Sequence, residues 1–260
     1  MKKIRSNMGF NLMEMIVITL LLSIVLLAGS MLFMAGQSSF FLTSVRADLQ
    51  ENSRQSLQRI SFELQESGRD SAGNLKVSIL DGTGVNGSDI LRFSVPLCIC
   101  GVSPIDTNGY VNRWGAPSQW GQAGCSTNYP LNGLGTVDIC HYTMGNPNPQ
   151  DMAVVSNNVK AHLAHSDYLG TCGSCDPTNY TNRTIEYLMD NSGQLLRRVL
   201  DVNNTVISSA IFAQKLTNFQ VSLNGAQTTV TVSVQFSGTA LANRAVTISN
   251  SMDVILRNRG

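Results

Sequence analysis

The residue types that could perform chemistry are concentrated in one part of the chain, between residues 96 and 180. This segment contains all six cysteines, all three histidines, both tryptophans and all seven prolines. The cysteines are Cys98, Cys100, Cys125, Cys140, Cys172 and Cys175. Thiolates and imidazoles bind zinc, paired thiols form disulfides, and a C-x-x-C pair can act as a redox dithiol. The segment therefore allows three kinds of chemistry.

The surroundings of these residues favour disulfides. In the zinc alternative, the C-x-x-C pair would be joined by ligands from elsewhere in the segment: Cys140, His141, His162 and His165. A thioredoxin-type dithiol belongs at a strand-to-helix junction, whereas the stretch YLGTCGSCDPTNY is typical of turns. An even number of cysteines in an oxidising compartment usually means disulfides. Six cysteines allow fifteen pairings, which spacing does not distinguish. We therefore expect disulfides, and neither a metal nor another cofactor.

The compartment follows from the amino-terminal part of the chain. Residues 15–45 carry no formal charge, and residues 15–36 are dominated by Ile, Leu, Val and Met. About 20 apolar residues cross a bilayer once, and the apolar core of a secretory signal peptide is shorter. Lys2, Lys3 and Arg5 precede this run, and basic flanks tend to remain in the cytoplasm. The sequence predicts a single span of the inner membrane with a periplasmic carboxyl-terminal domain.

One carboxylate, Glu14, lies at the start of the apolar run. An Asp at mid-helix costs about 2.5–3.5 kcal/mol on membrane-insertion scales, so an acidic residue in such a helix needs a partner. The stretch GFNLME, from Gly9 to Glu14, resembles the prepilin motif of the type IV pilin family. That motif has a basic leader ending in Gly, an aromatic residue after the cleavage site, and Glu as the fifth residue of the mature chain.

The resemblance implies a processing and assembly pathway. Residues 1–9 would be the leader, removed by a prepilin peptidase that cuts between Gly9 and Phe10 and N-methylates Phe10. Glu14 would pair with the terminal amine of Phe10, on a neighbouring subunit or on its own chain. After assembly the protein would lie in an extracellular pilus.

The helix predicted from the apolar run continues beyond the membrane. Between residues 37 and 68, apolar residues recur at three- and four-residue intervals with charged residues between them. They are Phe41, Val45, Leu49, Leu57, Ile60 and Leu64. Because no proline precedes Pro96, we expect one helix from about Phe10 to about Ser67. Its membrane stalk would cover residues 10–36, and its amphipathic half residues 37–70.

The carboxyl-terminal part of the chain is typical of antiparallel strands. Two apolar runs flank Asp190–Gly193, which predicts a hairpin; a calcium loop would need further oxygen ligands that this stretch lacks. In VTVSVQF, residues 230–236, apolar and polar residues alternate. We therefore predict an α+β fold with the long helix packed on an antiparallel sheet. A globular domain at 71–260 would carry a cysteine-rich loop insertion at about 96–180, as a variant of the pilin fold.

A second segment, residues 47–70 (ADLQENSRQSLQRISFELQESGRD), indicates which group of pilins the chain resembles. It is similar to the corresponding helix of PilW-type minor pilins through Leu49, Gln50, Glu51, Asn52 and Arg54. J-type pseudopilins of type II secretion share much of this plan. The resemblance implies a minor pilin that is incorporated into, or primes, a type IV pilus. Its partners would be other pilins, through the amino-terminal helix, the prepilin peptidase and the inner membrane.

Composition and motifs bear on the other function classes. A formal net charge of +1 gives no support for nucleic-acid binding. No nucleophile elbow or zinc-hydrolase motif accompanies the histidines, so we do not expect an enzyme. Trp114 and Trp120 could stack on a ligand, as in a tip adhesin, or anchor a small core within the insertion. The alternatives to a minor pilin are a pseudopilin, a tip adhesin and a membrane-anchored periplasmic enzyme.

Overall fold

The computed structural model describes residues 12–98, 104–105, 110–117, 120, 131–141, 150–163, 167–170, 172 and 182–257. Its helices are α1 (Leu12–Leu64) and α2 (Ser156–Leu163). The strands among the described residues are β1 (Val77–Leu80), β2 (Ile90–Phe93), β3 (Val95–Pro96), β4 (Trp114–Gly115), β5 (Val137–His141), β6 (Gln150–Val154), β7 (Tyr168–Leu169), β8 (Thr184–Met189), β9 (Leu195–Leu200), β10 (Val206–Ala213), β11 (Leu216–Leu223), β12 (Thr229–Ala240) and β13 (Arg244–Ile255).

Helix α1 is continuous over 53 residues, which corresponds to about 80 Å at 1.5 Å per residue. From Leu12 to Phe41 every residue is exposed. From Leu49 onward one face is buried, and it includes Leu57, Ile60 and Leu64. The predicted apolar stripe is therefore confirmed in the last third of the helix, whereas Phe41 is 40% exposed.

Two antiparallel sheets form the body onto which this last third of α1 packs. One sheet has five strands in the order β1-β2-β8-β9-β10, and the other has three in the order β11-β12-β13. The predicted alternation in β12 is confirmed, because Val230, Val232, Val234 and Phe236 are all at most 2% exposed. These elements confirm an α+β fold with a long amino-terminal helix and antiparallel sheets.

The predicted hairpin is also present, as β8 and β9 joined by the turn at residues 190–193. The Asp190 carboxylate accepts hydrogen bonds from the backbone N–H groups of Ser192 (2.9 Å) and Gln194 (2.8 Å). Gly193 has φ = +69°, a conformation that glycine adopts without steric cost. Asp190 thus closes the turn by itself, and no calcium ion is needed to explain its position.

A buried aspartate connects the two sheets. The Asp89 carboxylate, immediately before β2, accepts a hydrogen bond from the N–H of Val221 on β11 at 2.6 Å. Its second oxygen accepts one from the N–H of Gly82 at 2.8 Å. Since a buried polar group is costly unless it is hydrogen-bonded, these bonds explain why a residue that is 1% exposed can be an aspartate.

The described part of the cysteine-rich insertion contains more secondary structure than the predicted loops. Strands β3 and β4 pair with each other, and β6, β5 and β7 form a three-stranded sheet beside α2. A small core consists of Val137, Ile139, Val154 and Val159. The strands have only two to five residues, too few to give a periodic signal among the surrounding prolines and glycines.

Candidate functional site

The first candidate site is the exposed apolar part of α1. This helix is long and apolar enough to span a membrane, judged by length and composition. Glu14 lies in its first turn, where the positive end of the helix dipole favours a carboxylate. Gly9 and Phe10 lie outside the described residues, so cleavage, methylation and the pairing of Phe10 with Glu14 stay predictions.

The polar side chains in this apolar part are satisfied by the helix itself. Within residues 15–36 the hydroxyl-bearing residues are Thr19, Ser23 and Ser30. Thr19 donates to the carbonyl of Met15 at 3.0 Å, and Ser23 and Ser30 donate to carbonyls three residues earlier at 2.7 and 2.8 Å. Such bonds remove the cost of placing a hydroxyl in an apolar medium. The segment can therefore enter lipid, or a bundle of apolar helices, without unsatisfied hydroxyl groups.

The second feature is a buried ion pair that holds the end of α1 on the five-stranded sheet. Glu63 of α1 and Arg197 of β9 have side chains that are 1% and 2% exposed. The Arg197 Nε donates to both carboxylate oxygens of Glu63, at 3.1 and 2.9 Å, and its Nη2 donates to Oε1 at 2.8 Å. The same Nη2 donates to the carbonyl of Pro117 at 3.0 Å. The sequence did not single out this pair.

Tyr187 of β8 completes this cluster. Its hydroxyl donates to Glu63 Oε2 at 2.8 Å, and its ring stacks on Phe93 with centroids 6.1 Å apart. Burial, and next the negative charge of Glu63, raise the pKa of Tyr187 well above its ordinary value. The tyrosine therefore remains a neutral hydrogen-bond donor to the carboxylate.

The cysteines give one complete pairing within the described residues. Cys140 and Cys172 form a disulfide across 32 residues of sequence, with their Cα atoms 4.7 Å apart, and Cys98 is also disulfide-bonded. Cys140 and Cys172 are therefore not available as zinc thiolates, and Cys172 does not pair with Cys175 as a C-x-x-C dithiol would. Cys100, Cys125 and Cys175 lie outside the described residues.

Next to this disulfide lie two histidines and an aspartate, of which the sequence indicated only the histidines. The Nδ1 atoms of His141 and His162 lie 2.7 and 2.9 Å from the same oxygen of Asp167, Oδ2. Asp167 is fully buried, whereas each imidazole is 24% exposed. We call His141, His162 and Asp167 the His–Asp cluster; its chemistry is that of a candidate metal site. His165, which the zinc alternative also included, lies outside the described residues.

The two tryptophans have separate roles. Trp114 of β4 is 9% exposed and donates its indole N–H to the carbonyl of Val111 at 3.1 Å. Trp120 is 40% exposed; its indole N–H donates to the carbonyl of Arg59 at 3.1 Å, and its ring lies 5.3 Å from that of Phe62. Trp114 is thus a buried residue of β4 that pairs with Pro96 of β3, and Trp120 attaches the insertion to α1.

Comparison of the chain with protein-family models, with curated proteins and with solved structures finds no match. The resemblance to type IV pilins consequently rests on two stretches of sequence, residues 9–14 and residues 47–70.

Proposed function

We propose that this chain is a minor subunit of a type IV pilus, anchored in the inner membrane by α1 before assembly and held in the filament by the same helix afterwards. One observation supports this above all. A single helix is apolar and exposed over its first part and buried against sheets over its last part. The two resemblances in sequence, at residues 9–14 and 47–70, each overlap one end of this helix.

The energetics require an apolar environment for the first part of α1. Burying one Val, Leu, Ile, Phe or Met side chain contributes about 1.5–3 kcal/mol. From Leu12 to Phe41 inclusive, nineteen such large apolar side chains are 40% exposed or more. Leaving them in water would cost tens of kcal/mol, more than the usual stability of a domain, about 5–15 kcal/mol. A bilayer and a bundle of similar helices both remove this cost.

Transfer between those two environments has a different driving force. Because lipid tails and the core of a helical filament are both apolar, little hydrophobic energy is gained on moving from one to the other. Van der Waals packing between stalks supplies cohesion. A carboxylate at Glu14 is costly in either medium unless a cation faces it. The proposed pairing of Glu14 with a Phe10 amine therefore sets the register of one stalk against the next.

The size of the globular part favours a minor over a major subunit. The described insertion has its own small sheet, a helix and the Cys140–Cys172 disulfide. Such a bulky addition is awkward to repeat along a dense fibre, whereas a few copies are readily accommodated.

The proposal is tested by neutralising Glu14. We expect Glu14→Gln to enter the membrane and to be processed, but to be absent from sheared filaments or to reduce their number. The matched control is Glu51→Gln on the same helix, where the carboxylate is exposed and paired with Arg54 at 2.8 Å. The measurements are membrane fractionation, the amount of sheared filaments, and intact mass of the extracted protein.

The intact mass decides the processing step. A chain that begins at N-methylated Phe10 supports the prepilin pathway, and an uncut chain beginning at Met1 would overturn it. Wild-type levels of both filaments and protein secretion in Glu14→Gln would refute the pairing role. Loss of protein secretion with normal piliation in the same variant would assign the chain to a secretion pseudopilus instead.

A further inference from the structure

We propose that the His–Asp cluster binds a divalent transition-metal ion, and that zinc suits its ligands best. This inference goes beyond the pilus proposal and does not depend on it. The Nδ1 atoms of two histidines approach one carboxylate oxygen to 2.7 and 2.9 Å. A ligand atom from each of the three residues lies within 4.8 Å of the other two.

The three ligands come from three elements whose positions are fixed by other contacts. His141 ends β5, His162 lies in α2, and Asp167 directly precedes β7. Strands β5 and β7 pair through Ile139 with Leu169 and Cys140 with Tyr168. The Cys140–Cys172 disulfide joins the residue before His141 to a position five residues after Asp167. The cluster is therefore assembled in advance by a sheet, a helix and a covalent bond, as a precise metal site requires.

Burial and access also suit a metal ion. Asp167 is fully buried, and a buried carboxylate needs positive charge or hydrogen-bond donors. The two imidazoles are 24% exposed, so the cluster can be reached from solvent. A cation between them would compensate the carboxylate charge at the inner end of the cluster.

The donor atoms select the class of ion. Two imidazole nitrogens and one carboxylate oxygen suit zinc and its neighbours, whereas calcium and magnesium prefer oxygen ligands throughout. Zinc bonds of about 2.0–2.2 Å in tetrahedral geometry place neighbouring ligand atoms about 3.3 Å apart. The observed 2.7 and 2.9 Å are about half an ångström shorter, a difference that small rotations of the histidine side chains can absorb. Since Cys140 is held in a disulfide, the zinc site would contain no thiolate from it.

The competing explanation is a purely hydrogen-bonded cluster in which Asp167 accepts one N–H from each histidine. Both explanations satisfy the buried carboxylate, but only the first predicts stoichiometric metal uptake. The test therefore measures binding directly.

The experiment uses the full chain in detergent, with its disulfides intact and an affinity tag that contains no histidine. The protein is stripped with a chelator and titrated with zinc against a chromophoric competitor, and a parallel sample is titrated with cobalt. The variants are His141→Gln and His162→Gln, which alter partly exposed side chains. Asp167→Asn is not among them, because Asp167 is fully buried and its replacement would perturb the fold as well as the cluster. The matched control is Lys160→Gln, an exposed position of α2.

We expect one zinc per chain in the wild type and in Lys160→Gln. Each histidine variant should bind about 100-fold more weakly, since even the loss of a residue that only orients a ligand costs 10–100-fold. Cobalt should give visible d–d bands without a thiolate charge-transfer band. Absence of stoichiometric uptake by the wild type would overturn the proposal. So would unchanged affinity in both histidine variants, or a thiolate band, which would place the ion on cysteines.

Discussion

Replacing Glu63 by Gln should destabilise the globular part of the protein more than removing the charge of an exposed carboxylate such as Glu66. The change keeps the size of the side chain and removes its charge. Arg197, which is 2% exposed, then remains as a buried cation that has lost its carboxylate partner and has, among the described residues, only neutral acceptors such as the carbonyl of Pro117. Removing one partner of a buried ion pair costs about 3–5 kcal/mol. A loss of this size is a large fraction of a typical domain stability of about 5–15 kcal/mol.

A double variant separates charge from packing. In Glu63→Leu/Arg197→Met both charges are absent, and such replacements are neutral or even stabilising by about 1–4 kcal/mol in other proteins. We therefore expect the double variant to be more stable than Glu63→Gln. Tyr187→Phe, which removes one hydrogen bond to the carboxylate at 2.8 Å, should cost about 1.5–3 kcal/mol.

The assay is denaturant unfolding of the detergent-solubilised full chain, followed by tryptophan fluorescence. Trp120 is a suitable reporter, because its indole contacts Arg59 and Phe62 near the end of α1. The matched control is Glu66→Gln, which removes an exposed ion pair with Arg257 at 3.2 Å and should cost about 1 kcal/mol or less. If Glu63→Gln were no more destabilising than Glu66→Gln, the reasoning about the buried pair would be wrong.

Three further changes test separate parts of the structure. Gly193→Ala should lower the free energy of unfolding more than Gly82→Ala. Both glycines have positive φ, which strains other residues by about 1–3 kcal/mol. Of the two, only Gly193 lies where an added Cβ would meet a backbone oxygen, that of Leu216 at 2.7 Å. Thermal unfolding of the two variants measures the difference, and equal losses would contradict the clash. The hydrogen bond from Lys76, and next that from the Asn74 backbone, lower the pKa of Asp70 from 3.8 to about 2. The stabilising contribution of Asp70 is therefore complete above pH 3.8 and lost as the pH falls through about 2. Asp70→Asn should consequently flatten the dependence of the free energy of unfolding on pH in that window. The same pH dependence in Asp70→Asn and the wild type would argue against this role of Asp70. Finally, Cys140→Ser/Cys172→Ser opens a loop closed across 32 residues, which in the chain-entropy treatment costs about 3–4 kcal/mol. Limited proteolysis should then cut the insertion first, and an unchanged digestion pattern would show that the sheet β6-β5-β7 holds without the disulfide.

The elements that could be predicted from the sequence are those whose signal is local. The apolar run has the length of a membrane-spanning helix. The stripe through Leu57, Ile60 and Leu64 repeats with the period of a helix, and no proline interrupts either segment. The alternation of residues 230–236 has the period of a half-buried strand, and the Asp190–Gly193 turn has the composition of a hairpin. In each case, neighbours in sequence determine the conformation, so a short window is sufficient.

The clusters that the prediction missed depend on contacts between distant residues. Glu63 lies three residues after Ile60, on the buried side of α1, and this is a signal that a charge is being buried there. Its partner, however, is 134 residues away, at a position in β9 that no local pattern marks. Asp167 is likewise 26 residues from His141. No local pattern marks Asp167 as the carboxylate between the two histidines, so the sequence indicates only the imidazoles.

Glu14 and Glu63 lie on the same helix and pose the same physical problem, since a carboxylate that leaves water needs a cation or hydrogen-bond donors. For Glu63 the fold supplies Arg197 and Tyr187 from the sheet. For Glu14 we have proposed a cation at the amino terminus of a stalk. The two Glu→Gln variants should therefore have separable effects: Glu63→Gln should lower the free energy of unfolding, whereas Glu14→Gln should leave that free energy unchanged and impair assembly. A Glu14→Gln variant that unfolded as easily as Glu63→Gln would show that Glu14 acts within the fold, and the pairing between subunits would then be wrong.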